Sequence, residues 1–314
     1  MNLISCRFKS GLLRNWGGRA VDGCFYGNYF LGVCAVAQVI ETSALLKLPW
    51  RNAWLLNFVF AATVLFYTYP YVRRGLAESR NPRTEWYRRH FLFVCVSQIF
   101  LTLWLVVSGI TFCFTHADAI RKMELWEWGL LMSFPLVSAF YYGGNVLSYQ
   151  VNIRRVGWLK PFLIGFAWTG LILVYPILFS RIQYGHHLIL TWFPCMLFTK
   201  NFMFMSMLAI LFDIKDKVAD RGSGLDTWVV RLGLRRTLFH VTLPLTVLGV
   251  LTFLSYAVSQ GFSIIRMLLI LIPFILLILA IIALNKPRSL LYYLVVIDGL
   301  MLAKALFGIA AARF

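Results

Sequence analysis

Acidic side chains are scarce in this sequence. Its 314 residues hold 12 aspartates and glutamates against 30 lysines and arginines, and only 13% of residues are charged. Soluble chains carry roughly 25% charged residues, so a soluble enzyme and a disordered chain are both excluded. The six cysteines (Cys6, Cys24, Cys34, Cys95, Cys113 and Cys195) show no CxxC or other metal-type spacing and read as small, reduced packing residues. No internal repeat, low-complexity stretch or long linker is present, so residues 1–314 read as a single membrane domain.

What the chain has in excess is apolar length. Hydrophobic residues make up 60% of it, and the mean hydropathy is +0.76. The formal net charge of +18 sits in short loops between long apolar runs. Charge placed that way faces water and lipid headgroups rather than nucleic acid. A spanning helix needs about 20 apolar residues. Nine runs qualify: 25–47, 53–72, 91–114, 126–142, 160–180, 187–212, 238–258, 263–284 and 289–310. The expected architecture is an all-α polytopic bundle of nine helices over 25–310 with a central cavity, preceded by a basic segment, 1–24. Only Ser259 to Phe262 separate the seventh and eighth runs, which predicts a tight helical hairpin.

The basic residues orient the bundle. If the loops alternate across the bilayer, 21 of the 30 lysines and arginines fall on one side. Such an excess marks the cytoplasmic face. The expected placement is a cell inner membrane, with the N-terminus cytoplasmic and the C-terminus opposite. Trp50, Trp54, Trp126 and Trp128 flank the outer turns, where interfacial rings belong.

Three of the twelve acids cluster at the cytoplasmic end of the sixth run, in Phe212-Asp213-Ile214-Lys215-Asp216-Lys217-Val218-Ala219-Asp220-Arg221. Continued as a helix, the i, i+3, i+7 spacing puts Asp213, Asp216 and Asp220 on one face. A divalent cation relieves the repulsion of such carboxylates, and oxygen ligands suit Mg²⁺ bridging to a phosphate. A solvated helix end, with Lys215 and Lys217 neutralising the acids, accounts for the spacing equally well.

The segment from Phe212 to Gly233 resembles the second aspartate-rich motif of the UbiA-type intramembrane prenyltransferase superfamily. That motif resembles DxxDxxxD followed by a glycine, a threonine and a short run ending in Leu-Gly. Asp213, Asp216 and Asp220 match its acids, and Gly224, Thr227, Leu232 and Gly233 match its tail. Tyr149, Arg154, Arg155, Lys160 and Pro161 resemble the family's basic stretch that contacts a substrate diphosphate. The resemblance implies nine helices with the acidic motif after the sixth. It implies Mg²⁺ held by Asp213, Asp216 and Asp220 as the catalytic centre, and an isoprenyl diphosphate, or another phosphate-headed lipid, held by Arg154, Arg155 and Lys160. The implied reaction releases the diphosphate and leaves an allylic cation to alkylate an aromatic or lipid acceptor. The metal offsets charge on the leaving group, and a dry cavity protects the cation.

The family's first motif, resembling NDxxDxxxD at the end of helix two, has no counterpart. No aspartate or glutamate occurs from Thr42 to Ala77, and that helix end reads Phe66-Tyr67-Thr68-Tyr69-Pro70-Tyr71-Val72-Arg73-Arg74. Arginine forks bind phosphate without a metal. Arg73 and Arg74 therefore read as candidate phosphate ligands, or as residues that orient the chain on anionic lipid. Glu41, Lys200, Asp298 and Lys304 lie at membrane depth, where ionisable groups are paired or functional. Lys200 and Asp298 are expected to face the interior and pair.

Three functions remain open: a prenyltransferase, a non-catalytic member of the same fold that binds a lipid or a partner, and a transporter. Few mid-membrane charges, and no interrupted helices marking related halves, speak against the transporter.

Overall fold

A computed structural model describes residues 21–49, 53–73, 82–142, 157–185, 192–222, 224–286 and 288–314. Nine long apolar rods appear among them: α1 (Tyr29–Leu45), α2 (Ala53–Arg73), α3 (Phe91–Thr115), α4 (Leu125–Tyr142), α5 (Lys160–Tyr184), α6 (Trp192–Gly222), α7 (Leu234–Ser259), α8 (Ile264–Ala283) and α9 (Leu290–Ala311). Seven are long and apolar enough to cross a bilayer by length and composition, and α1 and α4 are shorter. No strand occurs among the described residues. In lipid, every backbone polar group must be satisfied within its own segment, and a helix does this. The chain is an all-α polytopic membrane protein.

α1 lies at the centre, packed on α2, α5 and α9. α6 lies along α5, α8 along α9, and α7 joins α6 to α8. The shared core is apolar, with Cys34, Val59, Ile172, Leu178, Ile210, Leu277 and Ile297 buried together. Lipid tails are as apolar as these side chains, so dispersion and fit hold the rods together more than water exclusion does. α3 is peripheral: only Val94, Leu101 and Phe112 are buried along it, and its remaining face is apolar and exposed.

Three rods contain π turns, at Gly170–Val174, Thr237–Thr242 and Tyr293–Ile297. Two have a sequence cause. A proline ring clashes with the carbonyl four residues earlier and supplies no N–H. For Pro176 and Pro244 that carbonyl lies inside the widened turn, which accommodates the clash. The expected hairpin between α7 and α8 is present. It closes on Gly261 at φ 64°, with the Phe262 N–H donating to the Ala257 carbonyl.

One boundary differs from the hydropathy reading. α6 does not stop near 212 but runs on to Gly222. Hydropathy marks where the apolar span ends, not where the helix ends. The acidic segment is a continuation of the rod.

Candidate functional site

The helical phase of α6 sorts its acids. At about 100° per residue, Asp220 falls roughly 20° from Asp213 around the helix, whereas Asp216 falls about 60° away. Asp213 and Asp220 are accordingly buried, at 2% and 7% exposure. Both face Lys160 at the start of α5, whose Nζ lies 2.6 Å from Asp213 Oδ1 and 3.9 Å from Asp220 Oδ2. Asp216 turns outward and takes the Lys215 ammonium at 2.5 Å. The second Asp213 oxygen has no hydrogen-bond partner among the described residues.

Local chemistry fixes this arrangement. Gly224, at φ 70°, ends α6 in the left-handed conformation that glycine adopts without strain, and the Leu225 N–H closes back on the Asp220 carbonyl at 2.9 Å. The chain then reverses through Thr227 into the short helix Trp228–Leu232. Gly157 presses on this reversal. A Cβ there would lie 2.5 Å from the Asp226 carbonyl carbon and 2.6 Å from the Thr227 nitrogen. The Trp228 indole donates to the Trp158 carbonyl at 2.9 Å. The residues just before Lys160 are thus fastened to the residues just after Asp220. In this way the motif tail Gly224-Thr227-Leu232-Gly233 places a lysine from another helix.

A different set occupies the end of α2. Arg83, on the short helix Pro82–Arg89, is buried. Its guanidinium donates to Asn28 Oδ1 and, at 3.2 Å, to the Tyr26 carbonyl, and it lies 4.7 Å from the Tyr71 ring centroid. Tyr71 stacks on Tyr87 at 4.4 Å. The Tyr87 hydroxyl donates to the Tyr26 carbonyl at 2.9 Å, and the Asn28 amide donates to Thr68 and Tyr87. Burial pushes the Tyr87 phenol above its ordinary pKa, with Arg83 opposing, so the ring stays neutral and its proton serves that hydrogen bond.

Asp298 follows the π turn of α9 and is buried at 6% exposure. The expected Lys200–Asp298 pair does not form. Lys200 faces the interior as expected but reaches Glu41 at 3.5 Å, and Lys304 reaches the same carboxylate at 2.5 Å. The reason is depth: Lys304, which meets Glu41 together with Lys200, lies six residues after Asp298 on α9, so Asp298 stands about 9 Å along the rods from Lys200.

Below Lys160 lies a cavity of about 300 Å³, lined by Phe58, Phe66 and Tyr67 of α2, Phe134 of α4, and Leu163, Ile164 and Trp168 of α5. Its walls are almost wholly apolar. One polar contact stiffens them, the Trp168 indole donating to the Tyr67 hydroxyl at 2.6 Å.

Of the residues singled out in the sequence, the structure brings Lys160, Asp213 and Asp220 together and directs Asp216 elsewhere. Arg73 ends α2. Arg74, Tyr149, Arg154 and Arg155 lie outside the described residues. Among the described residues, no group of three or more histidine, cysteine, aspartate or glutamate side chains is arranged to hold a metal ion. Sequence reasoning overlooked Asn28 and Tyr87. The signal available was the run of tyrosines where acids were expected.

No family model matches the chain, and no curated protein matches it. A solved structure does: that of a digeranylgeranylglyceryl phosphate synthase in membranes, a UbiA-type prenyltransferase. The match covers 94% of this chain and 99% of that one, with a TM-score of 0.53 and 12% identity. At that identity the likeness shows the fold, which is the fold the acidic motif implied.

Proposed function

We propose that this protein is an intramembrane prenyltransferase whose donor is an isoprenyl diphosphate and whose acceptor is an aromatic or lipid molecule. One observation carries the reading: the register along α5. Lys160 and the acidic pair stand at one end of the rod, and the apolar cavity begins one turn later and follows the rod to Tyr175, a run of about 18 Å. A cation beside buried polar groups at the head of a long apolar cleft suits an amphiphile with an anionic head and a hydrocarbon tail. The solved prenyltransferase with the same fold supports it.

The chemistry asked of such a site is modest. The allylic C–O bond breaks, diphosphate leaves, the carbocation bonds to the acceptor, and a proton is released. Dry aromatic walls at Phe66, Tyr67, Phe134 and Trp168 exclude water and offer ring faces to a cation. The cavity volume is at the low end for ligand pockets. That fits a short chain, or a longer one whose far end leaves into lipid. Charge on the leaving group is met by this chain's own cations: Lys160, and in this reading Arg73, Arg74, Arg154 and Arg155. The arrangement found does not fit a magnesium ion, because an ammonium stands at Asp213 and Asp220 and Asp216 is engaged with Lys215. In the membrane, this reading places the site at the cytoplasmic face of a cell inner membrane.

A second reading keeps the lipid site without transfer. It is favoured by the Arg83–Tyr71–Tyr87 assembly at the end of α2, where the resembled family carries its first acidic motif. One assay separates the two. Purified protein in lipid nanodiscs is given labelled isoprenyl diphosphates of several lengths together with membrane lipid extract and aromatic acids. Release of diphosphate coupled to labelled lipid product is the expected result. Saturable binding without release supports the second reading, and no binding at any length refutes both.

A further inference from the structure

We infer that Lys160 is a built-in counter-ion occupying the place of a divalent cation at the Asp213/Asp220 pair, so that a phosphate-headed lipid binds here without a metal. The ligand half of this inference rests on the proposed function. The counter-ion half stands on the geometry alone.

Three observations support it. The first is position. One ammonium lies within ion-pair reach of both buried carboxylates, 2.6 Å from one and 3.9 Å from the other, on a side chain that is only 16% exposed. A metal bridging those carboxylates must expel that ammonium from its site.

The second is construction. Lys160 is not a long side chain that happens to fold over. The backbone three residues before it is wedged against Asp226 and Thr227 at a glycine that tolerates no Cβ, and the Trp228–Trp158 hydrogen bond locks the same junction. The reversal that ends the acidic segment is itself what holds the lysine.

The third is charge. The acidic segment contributes Asp213, Asp216 and Asp220, and the cations on and beside it are Lys160, Lys215, Lys217 and Arg221. The set carries no excess of negative charge, with Asp216 paired to Lys215. The end of α2 adds no carboxylate and presents Arg83 among tyrosines. A divalent ion placed on such a set gains no net Coulomb attraction. Magnesium requires near-octahedral oxygen coordination, and the Lys160 ammonium occupies the space between the two carboxylates.

The test reads metal and lipid separately, with Mn²⁺ as the metal probe followed by electron paramagnetic resonance. The protein is held in zwitterionic nanodiscs. Wild type is expected to show no saturable Mn²⁺ site that Asp213→Asn removes. Lys160→Met is expected to gain one, and Lys160→Met/Asp213→Asn to lose it again. Farnesyl and geranylgeranyl diphosphate are expected to bind wild type with the same Kd, within about twofold, in EDTA and in Mg²⁺. An Asp213-dependent Mn²⁺ site in wild type, a folded Lys160→Met that gains none, or a tenfold or greater loss of lipid affinity in EDTA each overturns the inference. If Lys160→Met does not fold, the wild-type and Asp213→Asn measurements still decide. If neither lipid binds in either buffer, the proposed function fails, while the Mn²⁺ measurements decide the counter-ion role.

Discussion

Two buried ion clusters occupy α6, and they are near mirror images. Toward one end, a single carboxylate, Glu41 of α1, is shared by two lysines, Lys200 of α6 and Lys304 of α9. Toward the other, a single lysine, Lys160 of α5, is shared by two carboxylates of α6. The first is sealed. Its side chains are 2–8% exposed, and Lys304 also donates to Gln38, which in turn donates to the Met301 carbonyl. Gly308 leaves room for the carboxylate, since a Cβ there would lie 2.4 Å from Glu41 Oε1. The second is less enclosed, leaves an Asp213 oxygen without a hydrogen bond, and adjoins an apolar cavity. The same chemistry takes two forms: a sealed cluster ties three helices, and a less enclosed one leaves an Asp213 oxygen without a hydrogen bond among the described residues. Charge at membrane depth is therefore no guide to a site until its partners are known.

The sharpest way to break this contrast is Glu41→Gln. It strands two ammoniums in the interior, and removing one partner of a buried pair costs about 3–5 kcal/mol. The expected outcome is loss of monodisperse protein on size exclusion, or a large drop in the thermal midpoint. A variant that is stable yet deficient in lipid binding would reverse the roles assigned to the two clusters. Lys160→Met is expected to cost less, about 2–3 kcal/mol, because that lysine retains some water contact. Adding Asp213→Asn is expected to recover part of the loss, measured as a positive coupling in a double-mutant cycle of thermal stability.

Gly157→Ala tests the fastening rather than the charge. Its neighbours are backbone atoms with little freedom to yield, so overpacking of about 1–3 kcal/mol is expected. A displaced Lys160 is expected to weaken isoprenyl diphosphate binding about tenfold, checked by equilibrium binding. Unchanged affinity in a destabilised variant would show that the junction serves folding only. The smallest effect is expected for Asp216→Asn. Its pair with Lys215 is more exposed, with the Asp216 side chain at 42%, so stability should change by less than about 1 kcal/mol. Lipid affinity should stay within about twofold by the same binding assay.

Much of the architecture was legible in advance. The nine apolar runs became nine rods, and the short link between the seventh and eighth became a turn on Gly261. The acidic motif continues as a helix beyond the sixth apolar run, the condition under which its spacing put the acids on one face. Its grouping was only half legible. The i, i+7 pair converges, but the i+3 member sits far enough around the helix to reach a neighbouring lysine instead. The Lys200–Asp298 pairing failed because the two residues lie at different depths, with Lys304 rather than Asp298 level with Lys200.

The sequence by itself determined the membrane habit and the number and order of the rods among the described residues. These follow from the length of apolar runs and the local density of charge, which a bilayer reads segment by segment. Only the tertiary structure decided which charges meet. Lys160 and Asp213 are 53 residues apart, and Glu41 and Lys304 are 263 apart. No local pattern specifies such partners, because the pairing arises when packed helices bring distant side chains to the same depth and the low-dielectric interior leaves no charge there uncompensated.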